Sequence, residues 1–152
     1  MSESEQLLAT LDETREAVRA ILAKLDPSAV VFPDVGWRVK DLLAHVAAWE
    51  DEAARSIEAY RDGRSYRIPN YSSEAVYNQE VYREWATADV ATIRAEWETA
   101  RERLKAAIAA VVERLDTADL VFPWGARGSV KHLVGDMVGH EREHAEHLRG
   151  AG

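Results

Sequence analysis

The feature of this sequence that most constrains its fold is the recurrence of apolar residues at the spacing of one helix face. In the first such segment, Leu8, Leu11, Val18, Leu22 and Leu25 follow one another at three, four or seven residues. This period places them on one side of an α-helix, whereas a half-buried strand would alternate every two residues. Three further long segments show the same period, and no segment alternates over a useful length. The pattern therefore predicts an all-α fold.

Breaks in this pattern divide the chain into four long helices and one shorter helix. The prolines of "LDPSAVVFPDVGW" end the first helix, and the glycine and proline of "RDGRSYRIPNYSS" end the second. Thr87 or Asp89 is the expected N-cap of the longest helix, and Ser129 that of the last. We predict a four-helix bundle with the extra short helix in the second crossover. The predicted helices cover about residues 3–25, 38–62, 73–86, 88–115 and 129–148.

Two parts of the chain resemble each other. The stretch "LDPSAVVFP" corresponds to "LDTADLVFP", and the following "RVKDLLAHVAAWE" corresponds to "SVKHLVGDMVGHE". The alignment pairs Arg38, a poor helix cap, with Ser129, a good one, and it pairs Trp49 with His140. We therefore expect the two helices that begin with "VK" to occupy related positions, with inward faces that are able to meet.

Composition and charge exclude several classes of protein. The 152 residues suit one domain over 1–152, and the net charge of −8 comes without a basic stripe, so nucleic-acid contacts are not expected. The apolar runs are far shorter than the roughly 20 residues of a membrane span, and the acidic "MSESEQLL" is unlike a signal peptide. The sequence has no cysteine, which excludes thiolate metal sites and a cysteine nucleophile. We expect a cytoplasmic protein without membrane or nucleic-acid partners.

Histidines stand where leucines would be expected in the closing stretch "GHEREHAEHLRG". At about 100° per residue, His144 falls in the middle of the apolar face of the last helix, and His140 lies one turn earlier. His45 lies at the edge of the apolar face of the second long helix. Neutral imidazoles bind zinc and similar ions at about 2.0–2.1 Å, and three protein ligands leave a position open for water or substrate. Core packing is the alternative interpretation, and we expect His132 and His147 on the surface.

The stretch "GWRVKDLLAHVAAWE", followed far downstream by "GHEREHAEHL", resembles the DinB-like superfamily. Within it, the chain looks closest to the small ClbS/DfsB-type and maleylpyruvate-isomerase-N-like members. The family's motifs match Trp37, His45, Asn78 in "VYNQEVY", and His140 with His144. The resemblance spans nearly the whole chain. It implies an up-down-down-up four-helix bundle with a three-histidine site for zinc, nickel or a related divalent ion, often in a homodimer.

The resemblance also implies a choice of functions. Characterised relatives use the metal in reactions of low-molecular-weight thiols, as transferases and isomerases, and one branch confers self-resistance to a genotoxin by hydrolysing it. The expected function is thus a metal-dependent thiol transferase, isomerase or hydrolase, which activates water or a thiol for attack on a small electrophile. Two other classes stay open. One is a non-catalytic binding or self-resistance protein, and the other is a bundle with a vestigial metal site.

Aromatic residues in and around the second crossover provide a candidate pocket for a small-molecule substrate. Asn78 is the candidate catalytic residue, because its amide could orient a substrate carbonyl or a water at the metal. Core packing is the alternative interpretation of the aromatic residues. Glu141 and Glu143 flank the metal histidines, and we interpret them as solvated rather than as hydrogen-bond partners of an imidazole. The expected pocket residues are Trp49, Tyr71, Tyr77, Asn78, Tyr82 and Trp85.

Overall fold

Five α-helices and two short β-hairpins form the chain in this computed structural model, which describes residues 1–151. The predicted all-α architecture is confirmed. No helix within that range combines the length and the apolar character that crossing a membrane requires. The helices are α1 (Glu3–Leu22), α2 (Val39–Arg61), α3 (Glu74–Trp85), α4 (Val90–Ala109) and α5 (Val130–Ala151). The hairpins pair β1 (Val30–Phe32) with β2 (Trp37–Arg38) and β3 (Leu120–Val121) with β4 (Arg127–Gly128).

Side-chain caps fix where the helices begin. Asp89 accepts a hydrogen bond from the Thr92 backbone N–H at 2.7 Å, and Ser129 accepts one from the His132 N–H at 3.0 Å, so the predicted caps of α4 and α5 are confirmed. Arg38 has no side-chain acceptor to offer. The Asp41 carboxylate compensates at α2 by accepting the Arg38 backbone N–H at 2.9 Å, which is half of a capping box.

The hairpins are a difference from the prediction, which contained no strand. Each hairpin precedes one of the two "VK" helices. The internal resemblance pairs the two stretches that form the hairpins, but it did not indicate that they are strands. With two or three residues, these strands are too short to show alternation. In the second hairpin Gly128 lies directly against the Phe122 ring, and an added Cβ would overlap that ring.

The helix predicted to be the longest, α4, ends at Ala109, before the predicted residue 115, and α2 with 23 residues is longer. Val111 and Leu115 continue its apolar stripe and are buried. The backbone at Val111 nevertheless leaves helical geometry, with φ −129° and ψ 27°, and a 3₁₀ turn follows at Val112–Arg114. The apolar pattern extends beyond the helix because Val111 and Leu115, on either side of this turn, are both packed in the core.

The four long helices run up-down-down-up, as the resemblance implied. One apolar cluster joins the C-terminal halves of α1 and α5 to the N-terminal halves of α2 and α4. A second cluster joins the opposite halves of the same helices. α2 packs along α4 and α1 packs along α5, while α2 also contacts α3 and α5. Because α2 and α4 run in the same direction, the chain needs a long crossover between them, and α3 lies in it.

Four buried charged residues, one from each long helix, lie between the two apolar clusters. This buried charge ring consists of Arg15, Glu50, Arg101 and Glu141, each at most 2% exposed. Arg15 donates to Glu50 at 2.5 Å and to Glu141 at 2.9 Å. Arg101 donates to the same two carboxylates at 2.5 and 2.9 Å. Two positive and two negative charges cancel, so the core holds no net charge from these residues.

Glu141 was predicted to be solvated, and that prediction is wrong. Its carboxylate is enclosed by the two guanidinium groups of the ring. Burial alone would raise the pKa of Glu141, but Arg15 and Arg101 hold that pKa below its usual range. Glu141 aligns with Glu50 in the internal resemblance. The two carboxylates of the ring therefore stand at equivalent positions of the two similar stretches.

Candidate functional site

Three histidines from two helices come together in the N-terminal half of α2 and the C-terminal half of α5. The Nε2 atom of His140 lies 2.9 Å from Nε2 of His45 and 2.9 Å from Nε2 of His144. One nitrogen from each of the three rings lies within 4.8 Å of the other two. These are the three histidines that the sequence singled out as metal ligands, and as a group, named here the histidine cluster, they could hold a metal ion.

The close approach of these nitrogens fits a shared cation better than hydrogen bonding. A neutral imidazole carries one N–H and one lone pair. The Nε2 atom of His140 faces two other Nε2 atoms, and a single proton or lone pair on it satisfies only one of the two contacts. Two metal–nitrogen bonds of about 2.0–2.1 Å span nitrogens up to about 4.2 Å apart. The donor set and its spacing therefore suit a divalent ion that accepts three imidazole lone pairs.

Burial keeps these imidazoles in the neutral form. His45 is 5% exposed, whereas His140 and His144 are partly exposed. Burial, and then the neighbouring His140, lowers the pKa of His45 to about 3. Burial and the neighbouring histidines also lower the pKa of His144, and burial lowers that of His140. Neutral rings present the lone pairs that a metal requires.

His147 was predicted to be a surface histidine, and the structure corrects this. The ring is partly buried and packs edge-on against Phe32, with 4.9 Å between ring centroids. Its Nδ1 lies 3.1 Å from Nδ1 of His144, the nitrogen of His144 opposite to the one that faces His140. A hydrogen bond at this second nitrogen fixes the tautomer and orientation of a ligating imidazole. His132, in contrast, is exposed as predicted.

His45 is held in place by packing. Its Nδ1 is buried and has no hydrogen-bond partner within the described part of the chain. The Trp37 ring lies 5.3 Å from the imidazole, and the Tyr82 ring stacks parallel to Trp37 at 5.8 Å. Tyr82, expected in the pocket wall, therefore packs on the tryptophan that supports a histidine of the cluster.

Two cavities meet at His140. The first, named here the aromatic pocket, has a volume of about 380 Å³, and the second, the histidine cleft, about 270 Å³. His140 and Glu74 line both cavities, so a molecule in the aromatic pocket would lie beside the histidine cluster. The aromatic pocket is lined by Trp49, Tyr71, Glu74, Trp124, Met137 and His140. The histidine cleft includes Trp37, His45, Glu74, Asn78, His140 and His144.

Asn78 lies in the histidine cleft together with His45, His140 and His144, as its role as candidate catalytic residue requires. Its Oδ1 accepts the indole N–H of Trp49 at 2.8 Å. Because an indole nitrogen can only donate, this bond fixes which way the amide points and leaves the NH₂ group to donate to a molecule in the cleft. Trp49 and Tyr71 line the aromatic pocket, and Tyr77 packs against Trp49 with 4.6 Å between centroids.

Trp85 and Tyr77 line a different cavity, of about 220 Å³, between α2, α3 and α4. Trp85 therefore lies away from the histidine cluster, unlike our expectation. Four carboxylates surround this third cavity, from Asp51, Glu52, Glu84 and Glu96.

This third cavity makes stability depend on pH. Burial, and then Glu96 beside it, raises the pKa of Asp51 from 3.8 to about 7. Between those values the folded chain holds a proton that the unfolded chain releases, so the free energy of unfolding falls as pH rises through this window. We expect Asp51→Asn to raise the free energy of unfolding by about 1 kcal/mol at pH 8, with little effect at pH 5. Urea unfolding at both pH values measures this.

The control for the Asp51 variant is Glu102→Gln, which changes an exposed carboxylate on α4. It should shift stability by no more than about 0.5 kcal/mol at either pH. An effect of Asp51→Asn that is the same at pH 5 and pH 8 would contradict the raised pKa.

Three residues of the aromatic pocket were not predicted from the sequence: Glu74, Trp124 and Met137. Met137 lies about one turn before His140 on α5, and Glu74 lies one turn before Asn78 on α3, so helical spacing carried a signal for both. Trp124 lies in the turn between β3 and β4, and no periodicity predicts where a turn residue points.

Comparison with known proteins agrees with this architecture. A family model described as the DinB superfamily matches residues 10–148. A crystal structure of an uncharacterised protein from Escherichia coli UTI89 is similar, with a TM-score of 0.76 and 16% identity, over 97% of this chain and 91% of that one. At this identity the similarity concerns the fold alone. No curated protein matches the sequence significantly.

Proposed function

The chain belongs to the DinB superfamily, whose members often bind a divalent metal, and on that basis we propose that it is a metal-dependent enzyme. His45, His140 and His144 hold the ion. The reaction joins a small electrophile to a low-molecular-weight thiol or to water. The observation that supports this proposal is the approach of His140 Nε2 to within 2.9 Å of the corresponding nitrogens of His45 and His144. Zinc or nickel suits three imidazole ligands, and a homodimer belongs to the proposal through the family resemblance.

A divalent ion held there would act as a Lewis acid that lowers the pKa of water or of a thiol. The chain supplies the remaining parts of the site. Asn78 donates its amide NH₂ to a substrate oxygen in the histidine cleft, and the hydrogen bond from Trp49 holds that amide in one orientation. His147 orients His144 through its Nδ1, and Trp37 packs on His45. The partial exposure of His140 and His144 leaves a path for substrate from the cleft.

A second candidate function is binding without turnover, as in a self-resistance protein. The aromatic pocket supports it, because a volume of about 380 Å³ with mostly aromatic walls is typical of small-molecule sites. In that case the histidine cluster contributes to binding, and no product forms.

Metal content and thiol reactivity together test the proposed function. The protein is purified without a histidine tag, its metal content is measured, and it is incubated with 1-chloro-2,4-dinitrobenzene and each of glutathione, bacillithiol and mycothiol. We expect about one divalent ion per chain and faster release of chloride with at least one thiol. His132→Ala, which changes an exposed histidine, is the control, and His140→Ala should lose both metal and activity.

The outcomes separate the function classes. Protein that takes up no divalent metal even after dialysis against zinc or nickel contradicts the metal site and supports a vestigial one. Protein that binds metal but accelerates chloride release neither with any of the three thiols nor with water alone supports the binding function instead.

A further inference from the structure

We propose that the aromatic pocket selects a positively charged organic molecule, a small and largely apolar amine or quaternary ammonium compound, and presents it to the histidine cluster. This inference rests on the proposed function, since it names the class of substrate that the same site takes. It is carried by the shape of the aromatic walls, by the charge of the lining, and by the position of His140.

Two of the three aromatic rings in the wall of the pocket stand at steep angles to the third. The Tyr71 ring stands at 81° to the Trp49 ring, with 6.4 Å between centroids. The Trp124 ring stands at 66° to Trp49, with 6.2 Å between centroids. Ring faces carry negative charge density and attract cations, most strongly for tryptophan. Three rings arranged around one volume therefore favour a compact cationic group over an anion of the same size.

The charge of the lining residues also favours a positively charged ligand. Glu74 is the acidic residue of the pocket, and its other lining residues are aromatic residues, Met137 and His140. The Arg67 guanidinium lies over Gly125, the residue after Trp124, and is not part of the lining. The net charge of −8 adds a long-range attraction for cations. A carboxylate or phosphate ligand would find no positive partner among the lining residues.

The position of His140 connects binding to the proposed chemistry. His140 and Glu74 line both the aromatic pocket and the histidine cleft. When the cationic group lies between the aromatic walls and Glu74, the rest of the molecule can extend past His140 into the histidine cleft. The volume of about 380 Å³ fits one ring with a short side chain better than a large cofactor.

The experiment is isothermal titration calorimetry with three probes of similar size and different charge, on the full chain with and without zinc. Benzyltrimethylammonium is the cation, benzyl alcohol the neutral probe and phenylacetate the anion. We expect the cation to bind about tenfold more tightly than benzyl alcohol, and phenylacetate to bind most weakly. Glu74→Gln and Trp124→Leu should each weaken binding of the cation about three- to tenfold.

Matched variants make the result specific. Glu143→Gln changes a carboxylate that lines the histidine cleft but not the aromatic pocket, and it should leave binding of the cation unchanged. Trp124→Phe keeps an aromatic face and should retain most of the affinity, which separates a lost wall from a lost fold. Equal or tighter binding of benzyl alcohol or phenylacetate by the zinc-free protein overturns the proposal, because in the zinc form a carboxylate also coordinates the metal at the histidine cluster. So does a loss with Glu143→Gln that Glu74→Gln does not show, because it places the cation in the cleft.

Metal stoichiometry in the same samples separates this inference from the proposed function. Protein that binds zinc but, in its zinc-free form, prefers the neutral or anionic probe contradicts only the substrate class. Protein that binds the cation in the aromatic pocket but takes up no metal contradicts the proposed function and leaves the pocket assignment standing.

Discussion

Glu141→Gln is expected to lower the free energy of unfolding by about 3–5 kcal/mol. The substitution keeps the shape of the side chain but removes one of the two negative charges in the buried charge ring. Arg15 and Arg101 then remain in the core with Glu50 as their one buried anionic partner, because Glu98, 3.7 Å from Arg15, is partly exposed. Each guanidinium is 1% exposed, so water cannot replace the missing charge. Urea-induced unfolding at pH 7 measures the loss.

Glu146→Gln on the same helix is the matched control. Glu146 is exposed and pairs only with Arg149, one turn away, so its removal should cost no more than about 0.5 kcal/mol. A loss below about 1 kcal/mol for Glu141→Gln would show that the ring is hydrated in solution. Replacing all four ring residues together by Met and Leu should be less harmful than the single change, because it leaves no charge unpaired.

The ring could have been found in the sequence, since each of its charges interrupts an apolar stripe. Arg15 stands between Leu11 and Val18 at spacings of four and three, a position where a leucine would be expected. Arg101 stands in the same way between Trp97 and Leu104. Mixed charges on helices are usually solvated, but the spacing of Arg15 and Arg101 places them inside the bundle. The sequence of one helix does not show which residue pairs with each buried charge, because the ring takes one residue from each of the four long helices.

The long helices were predictable because each buries a continuous stripe, and period 3.6 is visible over about 20 residues. The hairpins were not, because pairing of two residues depends on the loop that brings them together. The internal resemblance pairs the stretches that precede α2 and α5, and the structure forms a hairpin in each of them. Element ends were less predictable than elements, as the 3₁₀ turn after α4 shows.

For the histidine cluster, spacing along α5 placed His140 and His144 on one face, and spacing along α2 placed His45 at the edge of a face able to meet them. The family resemblance strengthened this assignment. The contact of His147 with the cluster depends on tertiary packing, which neither helical spacing nor the family resemblance predicted. His147 was expected on the surface, but its ring packs against Phe32 of the first hairpin and is partly buried. An unpredicted strand thus holds a residue that contacts the cluster.

His140→Ala is expected to abolish tight metal binding. The sequence suggested that His144 would matter most, because it falls in the centre of the apolar face. The structure assigns the central position to His140, whose Nε2 lies 2.9 Å from the nitrogens of both His45 and His144. Loss of a ligand should exceed the roughly 10–100-fold effect of losing an outer partner of a ligand, so we expect zinc affinity to fall by more than about 100-fold. Competition with a chromogenic chelator measures it.

The other histidines give a graded series that tests which nitrogens hold the ion. His45→Ala and His144→Ala should lose tight binding as His140→Ala does, because two imidazoles make a poor site. His147→Ala should keep one ion per chain at saturation but weaken affinity about 10–100-fold, since only the hydrogen bond to His144 is lost. His132→Ala, with its exposed ring, should match the unmutated protein. Helicity of each variant is checked by circular dichroism. If His147→Ala emptied the site while His45→Ala retained the metal, all ligands would lie on α5, and the proposed site between two helices would be wrong.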